Sequence, residues 1–259
     1  MPEMLLEVER VSMRFGGLQA LAELSFVQQA GSIQGLIGPN GAGKSTLFNV
    51  IAGVNPPTGG HVRFRGQAIE RLPAYQRIRL GIARTFQNLQ IFRDLTVLEN
   101  VMVGCHSRFH GGMFAAMLRT PRMRAEEARM RDIAYDKLEL LGMAHKAGIQ
   151  AGALSFGEAK ILEIARALAG EPTLLLLDEP VAGVPHGEVA QVADVIRRVN
   201  AQGTAILLVE HNMRFVMGLC AHIVVLNHGC KIAEGDTRTV RTHPDVLRAY
   251  LGAEETEHA

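Results

Sequence analysis

Residues 38–46 read G-P-N-G-A-G-K-S-T and fit the spacing G-x-x-x-x-G-K-[ST]. Glycines so placed let backbone N–H groups close around phosphate oxygens without Cβ clashes. Lys44 supplies a point charge to β- and γ-phosphates, and Ser45 can ligate Mg²⁺. A plain glycine-rich turn is the bland alternative, but composition alone yields such a match in roughly one chain in a hundred of this length. A second group follows four leucines at 174–177: Asp178 and Glu179, then Pro180. Acids at the carboxyl end of a buried strand are costly unless paired, and a nucleotide-bound Mg²⁺ would pair them. On that reading Asp178 holds the metal, and Glu179 orients or deprotonates an attacking water.

Three weaker signals stand beside these. The strand at 205–209 ends in Glu210-His211, which places an imidazole within reach of a γ-phosphate. Gln87 closes T-F-Q, and Phe15 in M-R-F-G-G could stack on a base, worth about 1–3 kcal/mol. Each has an ordinary alternative as a polar or core residue at a strand end. Ser155 and Glu158 in L-S-F-G-E form the S-x-x-E capping box, with Ile161, Ile164, Ala165 and Leu168 following at helical spacing. The same helix start leaves N–H groups free to bind an anion, so spacing alone leaves cap and phosphate wall both open. His106 and His110 stand four apart without a carboxylate or cysteine and read as solvated. The arginines at 119, 122, 124, 129 and 131, diluted by Glu126, Glu127 and Asp132, read as a solvated helix face before a partner surface.

These groups require a scaffold that brings several strand ends together. Early alternation predicts antiparallel strands in the first thirty residues, and 33–37 is a short buried strand running into the glycine loop and a helix over 44–52. A hairpin is expected around 61–67 and a strand over 81–87. From 96 to 169 helical patterns dominate. After Pro172, strands at 173–177, 204–209 and 223–226 alternate with helices at 188–199 and 213–220. The pattern is a mostly parallel α/β core interrupted by a helical insert.

The 259 residues carry 27 Lys+Arg against 26 Asp+Glu, a net charge of +1, which gives no basic field for nucleic acid. No apolar run nears the roughly 18 residues of a membrane span, and the acidic, alternating N-terminus does not read as a leader. Three scattered cysteines, Cys105, Cys220 and Cys230, have no metal or redox spacing and suggest a reducing compartment.

In this order, the P-loop, T-F-Q, L-S-x-G-[EQ] before a helix, L-L-L-L-D-E-P, and a strand ending in His resemble the ATP-binding subunits of ABC transporters over essentially 4–252. F-G-G-L-Q-A-L at 15–21, G-I-A-R-T-F-Q-N at 81–88, T-V-L-E-N-V-M-V-G at 96–104, L-R-T-P-R in the insert, L-E-I-A-R-A-L at 162–168 and V-M-G-L-C-A-H-I-V-V-L-N-H-G at 216–229 look like the branched-chain amino-acid uptake subfamily. The resemblance implies an α/β P-loop NTPase: a RecA-like core with a mostly parallel sheet (1–88 and 172–253), an antiparallel β subdomain, an inserted α-helical subdomain (89–171) and a flexible tail (254–259).

It also implies roles. Phe15 would stack on adenine. Gly38, Pro39, Asn40, Gly41, Ala42, Gly43, Lys44, Ser45 and Thr46 would form the Walker A loop. Gln87 would sense Mg²⁺ and the membrane partner, so that Ser45, Gln87 and Asp178 would serve the metal. Glu179 would be the catalytic base and His211 the switch histidine. Residues 154–158 would be the signature, with Ser155, Gly157 and Glu158 facing an ATP held by a second subunit in a head-to-tail dimer. Cap and phosphate wall would then both be correct. Two positions depart from the usual pattern. Phe156 and Glu158 replace Gly and Gln of L-S-G-G-Q while Gly157 is kept. Pro185 stands where the loop after the acidic pair commonly has Asp or Asn, which implies altered communication between the two sites before any loss of hydrolysis.

The function expected is an ATPase subunit, with ATP closing a homo- or heterodimer and hydrolysis reopening it. It would drive separate integral membrane permease subunits, served indirectly by a substrate-binding protein, from the cytoplasmic face of a bacterial inner membrane. Branched-chain (hydrophobic) amino acids are the expected cargo, with urea or amide import and lipid export as alternatives. A reading from another class is a soluble ABC protein acting on nucleic acid. Such proteins generally carry two cassettes, or inserts with zinc or coiled-coil patterns; this chain has one cassette, no C-x-x-C pair and near-neutral charge.

Overall fold

A computed structural model describes residues 3–85, 89–105 and 121–256, the side chains of 121–123 and 251–256 excepted. Gln87, His106, His110 and Arg119 lie outside the described residues.

The chain opens with two long strands, β1 (Met4–Phe15) and β2 (Leu18–Gln29), paired antiparallel as their alternation predicts. β3 (Ile33–Ile37) is buried throughout and feeds the glycine loop and helix α1 (Lys44–Ala52). The hairpin β4 (Gly59–Phe64) and β5 (Gln67–Ala68) joins β1 to complete a four-stranded sheet in the order β2-β1-β4-β5. Helix α2 (Ala74–Leu80) precedes β6 (Ile82–Arg84), within the strand expected at 81–87, of which residues 86 and 87 lie outside the described residues.

The helical stretch carries α3 (Val97–Cys105), α4 (Pro121–Leu140) and α5 (Phe156–Leu168). Gly104 lets α3 press onto α5: a Cβ there would lie 1.9 Å from the Arg166 carbonyl oxygen. Arg124, Arg129 and Arg131 are exposed on α4, the solvated face that their mixed charge suggests. Then follow β7 (Leu174–Asp178), α6 (His186–Ala201), β8 (Ala205–Val209), α7 (Met213–Leu219), β9 (His222–Asn227) and β10 (Cys230–Gly235). Helices α8 (Thr237–Thr242) and α9 (Pro244–Thr256) close the chain. α9 runs to Thr256, the first half of the segment expected as a tail, and 257–259 lie outside the described residues.

The second sheet has the order β10-β9-β3-β8-β7-β6, parallel except where β10 meets β9. It lies between two apolar cores. Leu174, Leu176, Leu207 and Leu226 face one core with α1 and the small sheet; Leu175, Leu177, Leu208 and Val225 face the other with the inserted helices and α6. A strand covered on both faces has no polar side, which is why 174–177 is unbroken leucine. Arg77 on α2 is fully buried and donates to the Val50 and Ile51 carbonyls. It thereby satisfies the C-terminal end of α1 and fixes the helix that begins at the phosphate loop; desolvation lowers its pKa to about 10.

Candidate functional site

Three parallel strands, β3, β7 and β8, end side by side, and the residues expected to do chemistry follow those ends. The loop 38–43 runs from β3 to α1. Two of its glycines are obligatory: a Cβ on Gly38 (φ 154°) would sit 2.2 Å from the Leu226 carbonyl oxygen, and one on Gly43 (φ 100°) 2.7 Å from that of Ala20. Gly43 caps α1 without a side chain, so the first N–H groups of α1 open into the loop. Lys44 folds back over it, donating from Nζ to the carbonyl oxygens of Gly38 (2.7 Å) and Pro39 (2.9 Å). Desolvation holds its pKa below the ordinary lysine value, opposed by the charges of Glu179 and Asp178.

A cleft of about 470 Å³ unites Phe15 with Asn40, Gly41, Ala42, Gly43, Lys44, Ser45, Thr46 and Glu179. Leu18, Gln19, Ala20, His228 and Gly229 complete its wall. Phe15 ends β1 with 46% of its surface exposed, available for stacking. Pro39, together with Gly38, contributes through the carbonyls that hold Lys44.

Asp178, at the end of β7, is buried. Its Oδ2 accepts a 2.8 Å bond from Arg84 Nη2, while its Oδ1 is buried and has no hydrogen-bond partner. A buried carboxylate oxygen without a donor is unfavourable as it stands and suits a cation or a water on one. Arg84 is held in turn by Asn49 Oδ1 at 2.6 Å and by the Phe48 ring, 5.7 Å from its guanidinium carbon. Among the described residues no group of three or more His, Cys, Asp or Glu forms a protein-only metal cage; Ser45 and Asp178 match a metal that shares its shell with phosphate and water.

Glu179 has a left-handed backbone (φ 49°). For a non-glycine residue that conformation costs about 1–2 kcal/mol; here its N–H donates to the Val209 carbonyl at 2.9 Å. His211 follows β8 and puts Nδ1 3.9 Å from Glu179 Oε1, with 62% of its side chain exposed. Between them lies a residue that sequence reading named only as a neighbour of His211. Glu210 is fully buried; its Oε1 accepts from Val181 N (3.0 Å), and its Oε2 from His211 N (3.0 Å) and Asn212 N (3.2 Å). One carboxylate therefore straps the loop after Glu179 to the loop bearing His211.

No signature residue lines the cleft. Ser155 caps α5 by accepting from Glu158 N, and Glu158 returns a carboxylate oxygen to Ser155 N at 3.1 Å, closing the capping box. Glu158 also binds Lys146, and that bond is the main reason its pKa is depressed. Its carboxylate is thus committed to Ser155 N and Lys146; the groups that could face an anion are the Ser155 hydroxyl and the Gly157 N–H. Both are engaged by one oxygen of Glu188, on α6: Ser155 Oγ donates to Oε2 at 3.1 Å and Gly157 N at 2.9 Å. Sequence reading missed Glu188 and Arg84. The signal for Glu188 was its place three residues after a proline at a helix start; for Arg84 it was a cation on the strand beside the acidic pair.

With that geometry in view, the ABC transporter family model matches residues 21–182, and the model described as branched-chain amino acid ATP-binding cassette transporter matches 230–256. The high-affinity branched-chain amino acid transport ATP-binding protein LivG of Escherichia coli (strain K12) is 42% identical over 253 residues, covering 97% of this chain and 99% of the relative. BraF of Pseudomonas aeruginosa, named for the same transport, is 38% identical, covering 96% and 98%. A solved ATP-binding cassette of an ABC transporter in its ADP conformation superposes with a TM-score of 0.84 at 32% identity, covering 96% of this chain and 99% of that one. The chain therefore belongs to the ABC transporter family as an ATP-binding cassette, an ATPase.

Proposed function

We infer that this chain is the ATP-hydrolysing subunit of an importer of branched-chain amino acids, lying peripherally on the cytoplasmic face of a bacterial inner membrane against integral permease subunits. The observation that carries the ATPase site is the convergence of Phe15, the phosphate loop and Glu179 on one cleft, beside a buried Asp178 oxygen with no donor. The cargo reading rests on the relatives' names and on the match at 230–256. Among the described residues no helix is long and apolar enough to cross a membrane, and in this reading separate permease subunits make the crossing. The near-neutral charge gives the nucleic-acid alternative no support.

In this reading Phe15 stacks on adenine, and loop N–H groups with the third Nζ proton of Lys44 take the phosphates. Ser45 and Asp178 would hold Mg²⁺, with Gln87 completing the set that the resemblance implies; the ion supplies positive charge against the phosphate oxygens. Glu179 accepts the proton of the attacking water at its carboxylate. His211, beside it, holds the γ-phosphate, with Glu210 fixing both loops. The second ATP-binding subunit, identical or not, presents its Ser155 and Gly157 equivalents to the same phosphate.

Glu179→Gln is expected to keep nucleotide binding and lower ATP turnover by roughly 10²–10⁴-fold, the share of a general base; unchanged turnover sinks that role. The dimer is tested by light scattering of the Glu179→Gln protein with and without Mg-ATP. Mass should double with nucleotide, and Ser155→Arg should abolish the doubling. For the cargo, uptake of leucine rather than urea by proteoliposomes holding the permease and this subunit is the deciding result.

A further inference from the structure

The Glu188 contact gives the signature a resident anion. Ser155 Oγ and Gly157 N are the donors that would meet a neighbour's γ-phosphate, and both already point at a single carboxylate oxygen of the same chain. The fit is close: a Cβ on Gly157 would lie 2.1 Å from that oxygen. The reason for the reach is local. Glu188 is the third residue of α6, whose N-cap is Pro185. In a capping box the third residue's carboxylate returns to the N-cap N–H; proline has none. Thr96 and Ser155 do have one, and Glu99 and Glu158 return to them at 2.8 and 3.1 Å. Glu188 instead crosses to the start of the neighbouring helix, where a negative charge is favoured by the free N–H groups and the helix dipole.

We propose that Glu188 is an internal stand-in for phosphate: it holds the Ser155 hydroxyl and Gly157 N–H aligned in the lone subunit and must leave before a second subunit's ATP can use them. The inference rests on the head-to-tail reading above and adds to it a competing ligand that sets how much ATP is needed to close the dimer. A carboxylate and a phosphate oxygen cannot share these two donors, so removing the carboxylate strengthens closure. A purely structural tie between α5 and α6 predicts the reverse, since losing it would loosen the signature.

The experiment has two arms, both using the full chain. In the first, Glu188→Ala and the near-isosteric Glu188→Gln are each added to Glu179→Gln, and mass is followed by light scattering against Mg-ATP. The midpoint should fall by roughly two- to fivefold per site for Glu188→Ala, the range for a charge at a helix terminus, and less for Glu188→Gln. In the second, the Gly157 amide resonance of the nucleotide-free protein is titrated with inorganic phosphate; Glu188→Ala should respond at several-fold lower phosphate than wild type. Thermal unfolding of both variants identifies a misfolded one, and Glu188→Gln then carries the comparison. If Glu179→Gln dimerises but Glu188→Ala closes no more readily, the stand-in is overturned and the head-to-tail reading survives. If Glu179→Gln binds Mg-ATP yet stays monomeric while the Gly157 response sharpens, self-pairing falls and the stand-in survives. If Glu179→Gln binds Mg-ATP yet stays monomeric and the Gly157 response is also unchanged by Glu188→Ala, both are wrong.

Discussion

Helix α5 begins at Ser155 with its own box closed, hydroxyl to Glu158 N and Glu158 carboxylate back to Ser155 N. Helix α6 begins at Pro185, which offers neither a side-chain acceptor nor an N–H, and its third-residue glutamate serves the other helix. Two helix starts that read similarly in sequence, a cap position and a glutamate three places on, thus do opposite things. One is self-sufficient and leaves its outermost donors over; the other is deficient and supplies the anion that occupies them. A single missing N–H redirects a charge from its own helix to a functional neighbour.

The sharpest way to break this asymmetry is Gly157→Ala. The new Cβ meets Glu188 Oε2 at 2.1 Å and Glu188 Cβ at 3.0 Å, so the carboxylate is expelled. The same methyl also blocks any phosphate, so ATP-driven dimerisation in the Glu179→Gln background should weaken by more than about tenfold, the scale of a lost hydrogen bond to a charged group. Light scattering that shows tighter closure instead would mean that displacing Glu188 matters more than the close approach at Gly157.

Pro185→Asn repairs the deficient start rather than breaking the complete one. Asparagine supplies a side-chain acceptor, worth about 1 kcal/mol as a cap, and the N–H that a returning Glu188 needs. Losing proline frees the unfolded chain by about 0.4–1 kcal/mol, so thermal stability should shift little. The dimerisation midpoint should move in the direction of Glu188→Ala but less far, and the Gly157 amide should exchange faster with solvent. An unchanged Gly157 exchange rate would show that Glu188 prefers the signature even with its own cap restored.

The smallest effect concerns the complete start. Glu158 has a depressed pKa, chiefly through its bond to Lys146. A carboxylate whose folded pKa lies below its unfolded value contributes stability that is full above the unfolded value, near 4.5, and fades as pH falls through the folded one. Melting temperatures of wild type and Glu158→Gln should therefore differ at pH 6 and converge toward pH 3. Parallel melting curves at all pH values would remove Glu158 from the acid response.

What could be read from sequence was local. The phosphate loop, the leucine strand with its two acids, the histidine after β8 and the Ser155–Glu158 box are each defined within a dozen residues, and each sits where its pattern places it. The partners that complete them are distant in the chain. Arg84 meets Asp178 across 94 positions, Gly157 meets Glu188 across 31 and Val181 meets Glu210 across 29. No periodicity encodes such meetings; they follow from the strand order β8-β7-β6 and from α5 abutting α6. Two short helices, α2 and α8, of seven and six residues, gave little helical repeat to read and were not expected, although α7, also seven residues long, was.

The buried carboxylate of Glu210 has a consequence for timing. It grips Val181 on one side and the loop bearing His211 on the other, and from Val181 the chain needs only the turn through Pro185 to reach Glu188. Read as wiring, Glu179 and Glu188 are the two terminals of one short conductor, nine positions apart, with Glu210 soldering its near end to His211. In the proposal above the far terminal would have two positions, held by Ser155 and Gly157 or released from them, and such a two-position element is what coupling requires. A subunit whose Glu179 meets its own phosphate, as proposed, would thereby be placed to set, within one loop, whether its donors are offered to another's.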